Sequence, residues 1–391
     1  MEFTVDAIIL LFLLTNNIYL VGGDIAYERN CSDTDPYPHD IPLDAERITI
    51  LHLNVDRVDY IEEFPNLTSY QIDISTLSQF PDLANVSATL TELTITSSRL
   101  STIPVDLMII MPLVNYIDLS YNRITCIPDL TTIFPGLQIL SVYANQIVRM
   151  NRSTAITVYV SENEMSVVPN FTNVGDEFYL LDIRNNSIAS VTEGTFPLMP
   201  NIYKLDLGVN KLTNFPVLHN VTSVYRLYLH SNQISSVPEL PHVPNLDKLT
   251  LYDNKLSTFP NLTNICNKLQ ELSIYDNEIV EFPDHLTSKL NKLMSLSIGR
   301  RSAEPIYLPN LCVMKTPSLP LNITIYKSMI YCDKHAIYAK WAQDAGRLNI
   351  ISPISCVSPS HLEGRLFSNL TFDELWLKRS GRCSSSSLPS S

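Results

Sequence analysis

The chain is predicted to fold as an α/β solenoid of about twelve coils around one inner parallel β-sheet, and two observations carry that prediction. Eight asparagines, Asn122, Asn145, Asn163, Asn186, Asn210, Asn232, Asn254 and Asn277, recur at intervals of 18 to 24 residues. Eight prolines, Pro81, Pro104, Pro128, Pro169, Pro216, Pro238, Pro260 and Pro283, fall six residues after a position of the asparagine column or its extension. A structural unit repeated at such a period stacks on its neighbours, because no single copy can bury its apolar face alone.

At the N-terminus, AIILLFLL (residues 7–14) is an apolar run followed by small residues at Val21, Gly22 and Gly23. It reads as a signal peptide, residues 1–23, too short to span a bilayer. Glu2 and Asp6 precede it, without the Lys or Arg usual there. Residues 24–46, with Cys31, form an N-terminal segment or degenerate cap.

The coils occupy residues 47–311. The clearest copies are VYRLYLHSNQISSVP (224–238), LDKLTLYDNKLSTFP (246–260) and LQELSIYDNEIVEFP (269–283). Before each asparagine the alternation has the period of two of a short strand, with Leu249 and Leu251 inward and Thr250 and Tyr252 outward. An asparagine turned inward at the strand end needs partners, since each buried polar group left unsatisfied costs about 1–3 kcal/mol. Backbone groups of its own and adjacent coils can supply them, so the column is predicted to be scaffold. The column extends to Asp56, Ser75 and Ser98 on one side and Arg301 on the other. The coil ending at Asn163 is 18 residues long, which predicts a local kink or pinch. Proline has no N–H for a ladder and a fixed φ, so it belongs on the return limb, which should be irregular or one 3₁₀ turn.

The pattern LxxLxLxxNxIxxIP resembles the leucine-rich repeat family, and the resemblance implies a curved array. Residues 312–383 hold Cys312, Cys332, Cys356 and Cys383, and resemble the C-terminal capping module of extracellular members. Lys334 stands where that module's second cysteine would be. The analogy implies a Cys332–Cys356 disulfide and leaves Cys383 for Cys312. A cap would cover the apolar end and open strand edge of the last coil. Residues 384–391 are a Ser-rich disordered tail. Seven cysteines in all leave one unpaired or intermolecular, and Cys126 and Cys266 read as small half-buried residues within coils.

Ten Asn-x-Ser/Thr sequons accompany the predicted secretory route: Asn30, Asn66, Asn85, Asn151, Asn170, Asn185, Asn220, Asn261, Asn322 and Asn369. Short sequons also arise by chance, but Asn66, Asn170 and Asn261 share a PN[LF]T frame at the outer turn. A glycan on Asn185 would instead crowd the inner face. Asn66, Asn85, Asn170, Asn220, Asn261, Asn322 and Asn369 are the predicted carriers. No later segment has the uninterrupted apolar length of a membrane span, so the chain is expected to be secreted and extracellular.

No HExxH, GxSxG or phosphate-loop signature occurs, and Gly is only 10 of 391 residues. Neither an enzyme nor a cofactor or metal is therefore expected. Cys332 and His335 would need two further ligands to hold zinc. With 27 basic against 40 acidic residues the net charge is −13, which disfavours nucleic acid and suits a basic or neutral partner.

In the resembled family the inner sheet is the usual contact surface, its solvent-facing positions lying four, two and one before the column. The candidate binding residues are Tyr228, His230, Tyr252, Asp253, Tyr275 and Asp276, with Ser231, Thr250 and Ser273 beside them. Tyrosines suit a hot spot and the aspartates a cationic group. The same tyrosines also suit half-exposed strands on which they merely stack. Tyr121, Tyr143 and Tyr159 suggest a second cluster. The resemblance implies an extracellular binding module for a protein or glycan, in adhesion, matrix, signalling or immune recognition. A regulatory subunit or inhibitor of a secreted enzyme and a receptor ectodomain are the alternatives.

Overall fold

The computed structural model describes residues 17–21, 24–30 and 44–376, apart from 54–55, 59–63, 170–176, 197–198, 219–220, 222, 239–242, 263–264, 266–267, 284–291, 303, 311–320, 327, 347 and 351–352. Its main element is a sheet of 16 strands. Asn17–Val21 and Asp24–Asn30 pair antiparallel, and every later neighbour is parallel. The strands from Arg47–Leu51 to Ser295–Ile298 supply one strand per predicted coil. The same sheet continues past residue 311 through Leu321–Ile325 and Leu348–Ile350.

Each strand buries alternate residues, as Leu227, Leu249 and Leu272 do on three successive coils, and these join one apolar core that runs from Ala45 to Leu375. On the return limb, 3₁₀ turns occupy Ala84–Val86 and Val105–Leu107, and a small parallel pair joins Cys126–Ile127 to Arg149–Met150. Among the described residues of the array no α-helix occurs, as the prolines predict.

The asparagine column forms the ladder. Asn254 donates from Nδ2 to the Leu229 and Leu251 carbonyls at 2.9 and 3.1 Å, and its Oδ1 accepts from the Ile234 N–H at 2.9 Å. The arrangement repeats at the other seven asparagines; Asn277, for example, accepts from Leu256 and donates to Leu251 and Ile274. It also holds a strained turn. The residue before the column has φ near +50° in eleven coils, from His52 to Asp276, at about 1–2 kcal/mol per L-residue. The asparagine amide bonds two carbonyls just before that turn, Leu251 and Tyr252 for Asn254.

One expectation is corrected. Arg47 pairs with Ser69, so the first column position is Leu53, which is buried, whereas Asp56 is exposed three residues on. An apolar side chain filling the slot needs no ladder bonds, which is why polarity misplaced the register. The 18-residue coil does not interrupt the sheet: Thr157–Tyr159 pairs in register on both sides, and Asn163 accepts from the Ile147 N–H at 2.8 Å. Its shortening falls on the return limb. Arg301, at the last column position, does not enter the core; its guanidinium reaches out to Asp253.

At the C-terminal end Cys332 and Cys356 form the implied disulfide, with Cα atoms 5.5 Å apart. The helix Lys334–Asp344 begins there because Asp333 caps it, accepting from the His335 and Ala336 N–H groups. Lys334, in place of the family's second cysteine, opens that helix. Cys31, Cys266, Cys312 and Cys383 lie outside the described residues, and Cys126 is a half-buried free thiol.

Candidate functional site: the inner face of the sheet

Parallel register carries equivalent residues of successive coils into rows. Six residues before the column run Lys204, Arg226, Lys248 and Glu271. Four before it run Asp182, Asp206, Tyr228, Thr250, Ser273 and Ser297. Two before it stand His230, Tyr252 and Tyr275.

That last row is a continuous stack. His230 lies 4.6 Å from Tyr252, centroid to centroid, Tyr252 lies 4.6 Å from Tyr275, and Tyr275 lies 4.1 Å from Tyr326. Its first ring rests on Gly208, where an added Cβ would meet three imidazole atoms at 2.5 to 2.9 Å. Glycine lets the ring approach the backbone this closely, and a larger residue would have to displace the imidazole. Tyr326 was missed from the sequence because it follows Gly299, beyond the last good copy of the repeat.

Tyr228 stands apart from this stack. Its ring has the Lys204 ammonium 5.0 Å from its centroid and the Lys248 ammonium 5.9 Å away. In line with Tyr228, the small residues Thr250, Ser273 and Ser297 floor a trough of about 410 Å³. Tyr252, Tyr275 and Tyr326 form one wall, Lys248 and Glu271 the other, and Arg184 and Lys204 line one end. The rings stack along the row, so their hydroxyl-bearing edges face solvent.

Asp253 and Asp276 do not act together as a pair of open carboxylates. Asp253 is bonded to Arg301, and the charge expected to attract a cation is already compensated. The carboxylates inside the face lie deeper: Asp182 and Asp206 are both 3% exposed. Each holds a cation above it, Arg184 on Asp182 and Lys204 on Asp206, both at 3.4 Å. Burial, then the neighbouring Asp206 charge, raises the Asp182 pKa against the pull of Arg184. Burial lowers the His230 pKa, opposed by Asp206. Burial, then the neighbouring tyrosines, pushes Tyr275 up to about 12, so this phenol stays a hydrogen-bond donor at neutral pH. Of the second predicted cluster, Tyr121 and Tyr143 meet edge-on at 4.9 Å, while Tyr159 stands in the row four before the column. A third group, absent from the sequence expectations, stacks at the strand entries: Tyr179 on Tyr203 at 5.2 Å and Tyr203 on Tyr225 at 5.3 Å. Its signal was tyrosine seven before the column in three consecutive coils.

The ladder, the rows and the alternating core are matched by family: the leucine rich repeat model covers residues 177–234, inside the best-formed part of the sheet. The solenoid has the fold of a leucine-rich repeat array. Over 168 residues the chain is 27% identical to leucine-rich repeat-containing G-protein coupled receptor 5 of Rattus norvegicus, covering 42% of this chain and 16% of that protein. Over 180 residues it is 26% identical to leucine-rich repeats and immunoglobulin-like domains protein 3 of Homo sapiens, covering 45% and 14%. The chain thus matches only a small part of each relative. The solved structure of YopM from Yersinia enterocolitica WA-314 superposes with a TM-score of 0.51 at 25% identity, over 71% of this chain and 56% of that one. Leucine-rich repeats are typically protein-binding and usually non-catalytic.

Among the described residues, no group of three or more His, Cys, Asp or Glu is placed to hold a metal ion, and no helix is long and apolar enough to cross a membrane. Cys332 is consumed by its disulfide and is no ligand for zinc beside His335. Of the predicted glycan carriers, Asn66, Asn85, Asn261 and Asn369 are exposed. Asn322 lies in a sheet strand and accepts from Asn349 at 2.8 Å. Asn170 and Asn220 lie outside the described residues.

Proposed function

We propose that the chain is a secreted, glycosylated binding module that holds a protein or glycan partner against the inner face of its repeats, without catalysis. The observation that carries this reading is the trough beside the stack His230, Tyr252, Tyr275 and Tyr326. Stacking fixes these side chains before any partner arrives, so little rotamer entropy remains to be lost on binding. Residues 1–23, which include the strand Asn17–Val21, act as the signal peptide, so that the mature sheet begins at Asp24–Asn30; residues 24–46 act as the N-terminal segment and residues 312–383 as the cap. The exposed outer-turn positions of Asn66 and Asn261 leave the trough open when glycosylated.

A second reading is a receptor ectodomain, favoured by the G-protein coupled receptor among the relatives. Recovery from washed cell surfaces instead of medium would decide for it. The contact surface itself is tested by pull-down from extracellular fluid with the wild type and a Tyr252→Ala/Tyr275→Ala variant. The variant is expected to lose the main partner while keeping its circular dichroism spectrum. An unchanged partner set would remove the inner face from the proposal.

A further inference from the structure

We propose that the trough selects an extended peptide segment carrying a carboxylate side chain, which is seated over Thr250 beside Lys248. This rests on the reading of the inner face as the contact surface and narrows its ligand from protein or glycan to an acidic peptide.

The covered ring faces provide the first support. His230 lies between Gly208 and Tyr252, Tyr252 between His230 and Tyr275, and Tyr275 between Tyr252 and Tyr326. Tyr228 carries the ammonium groups of Lys204 and Lys248. A saccharide held by aromatic residues lays its C–H face on a ring, and these four rings are already occupied by their neighbours; Tyr326, 39% exposed at the end of the stack, is the one wall ring outside that exclusion. What the trough offers instead is hydroxyls and charge: phenol edges on one wall, Thr250, Ser273 and Ser297 on the floor, and Lys248 opposite. A narrow polar channel running across successive strands matches an extended polypeptide.

Thr250 provides the second. Thr250 is 5% exposed and lines the trough, yet its hydroxyl has no hydrogen-bond partner. The asparagine ladder satisfies the scaffold around it, so this orphan donor stands out. Buried polar atoms without partners are rare and costly, and a ligand atom would complete this one. The sign of that ligand follows from the layering of charge. Asp206 is buried beneath Lys204, with side chains 4% and 23% exposed, so the cation is the member of the pair that meets a ligand. Lys248 bonds Glu271 at 2.6 Å on the trough wall, and that carboxylate shows what the ammonium accepts. An incoming carboxylate can share Lys248 with Glu271 and take the Thr250 hydroxyl as a second donor.

The test uses the full-length glycosylated protein on an array of extended hexapeptides with Glu, Gln or Lys at one central position and the rest randomised, beside a glycan array. Glu-centred peptides are expected to be retained about tenfold more than Gln-centred ones, the effect of one charge-assisted hydrogen bond. Thr250→Val should abolish that preference and Thr250→Ser should keep it. Glu271→Gln should strengthen retention of Glu-centred peptides by removing the competing carboxylate; a cationic ligand requires weaker retention instead. A preference for Lys, no preference, no peptide retention, or glycan binding lost in Thr250→Val overturns the proposal. Pull-down with the two-tyrosine variant separates the levels. A lost partner without Glu preference sinks only the acidic class, and a retained partner sinks the contact surface as well.

Discussion

The coils around Ser75 and Ser98 and those around Asn232 to Asn277 solve one problem with different chemistry. In the first pair the two hydroxyls meet each other at 2.6 Å, Ser75 accepts from the Leu77 N–H, and Ser98 donates to the Thr96 carbonyl. In the second group each amide accepts from the preceding coil and donates to three carbonyls. Backbone bonds close the strand end in both groups: Ser97 donates to the Ser120 carbonyl at 3.2 Å in the first, and Leu229 to Thr250 and Ser231 to Tyr252, both at 2.9 Å, in the second. The amides therefore add to the backbone ladder and do not replace it. The trough lies over the part held by amides, where the residues just beyond the regular strand carry the aromatic stack.

That comparison predicts unequal costs for equivalent substitutions. Asn254→Ala, in the fully developed ladder, strands the Ile234 N–H and several carbonyls, and should lower unfolding free energy by about 3 kcal/mol. Ser75→Ala loses a hydroxyl pair whose surrounding strands keep their backbone bonds, and should cost about 1 kcal/mol. Denaturant titration of both variants gives the difference, and equal losses would show that the extra amide bonds add no stability over the hydroxyl pair. An effect on stability like that of Ser75→Ala is expected for Gly208→Ala. The new methyl must displace the His230 ring, a flexible side-chain end, at a cost of about 1 kcal/mol. Its signature is a changed His230 ring resonance with the Tyr252–Tyr275 stack retained; an unmoved imidazole would refute the packing assigned to Gly208.

The same contrast explains what could be read before any coordinates. The ladder was legible because it repeats: eight identical side chains in one register leave the strand, the buried face and the return limb little freedom. The serine coils were also placed, because a hydroxyl still marks the slot. Leu53 was not, since an apolar residue there looks like ordinary core and the nearest polar residue, Asp56, drew the column three positions too far. At the site, Tyr228, His230, Tyr252 and Tyr275 were named, while their division into a stack and a separate cation-flanked ring was not. That division depends on Gly208 leaving room for His230 and on lysines of flanking coils, which are contacts between coils. Asp253 failed as an open carboxylate because Arg301, 48 residues later, reaches across two coils to it, a relation that no local pattern encodes.

The smallest predicted effect isolates one end of the trough. His230 is held below its ordinary pKa of 6.5, chiefly because burial between Gly208 and Tyr252 penalises the imidazolium, with Asp206 opposing the shift. A folded pKa below the unfolded one means the unfolded chain binds more protons in the interval between them, so stability rises with pH there. The stabilisation from neutral His230 is therefore complete above about pH 6.5 and is lost as pH falls toward the folded pKa. Nothing comparable exists in the serine coils, where no histidine stacks on the sheet face. Wild type and His230→Phe, which keeps a ring on Gly208 without a titrating group, should differ in the slope of melting temperature against pH only in that acidic window. Parallel slopes there would show that His230 is accommodated equally well in both charge states, and would remove burial on Gly208 as the cause of its shift.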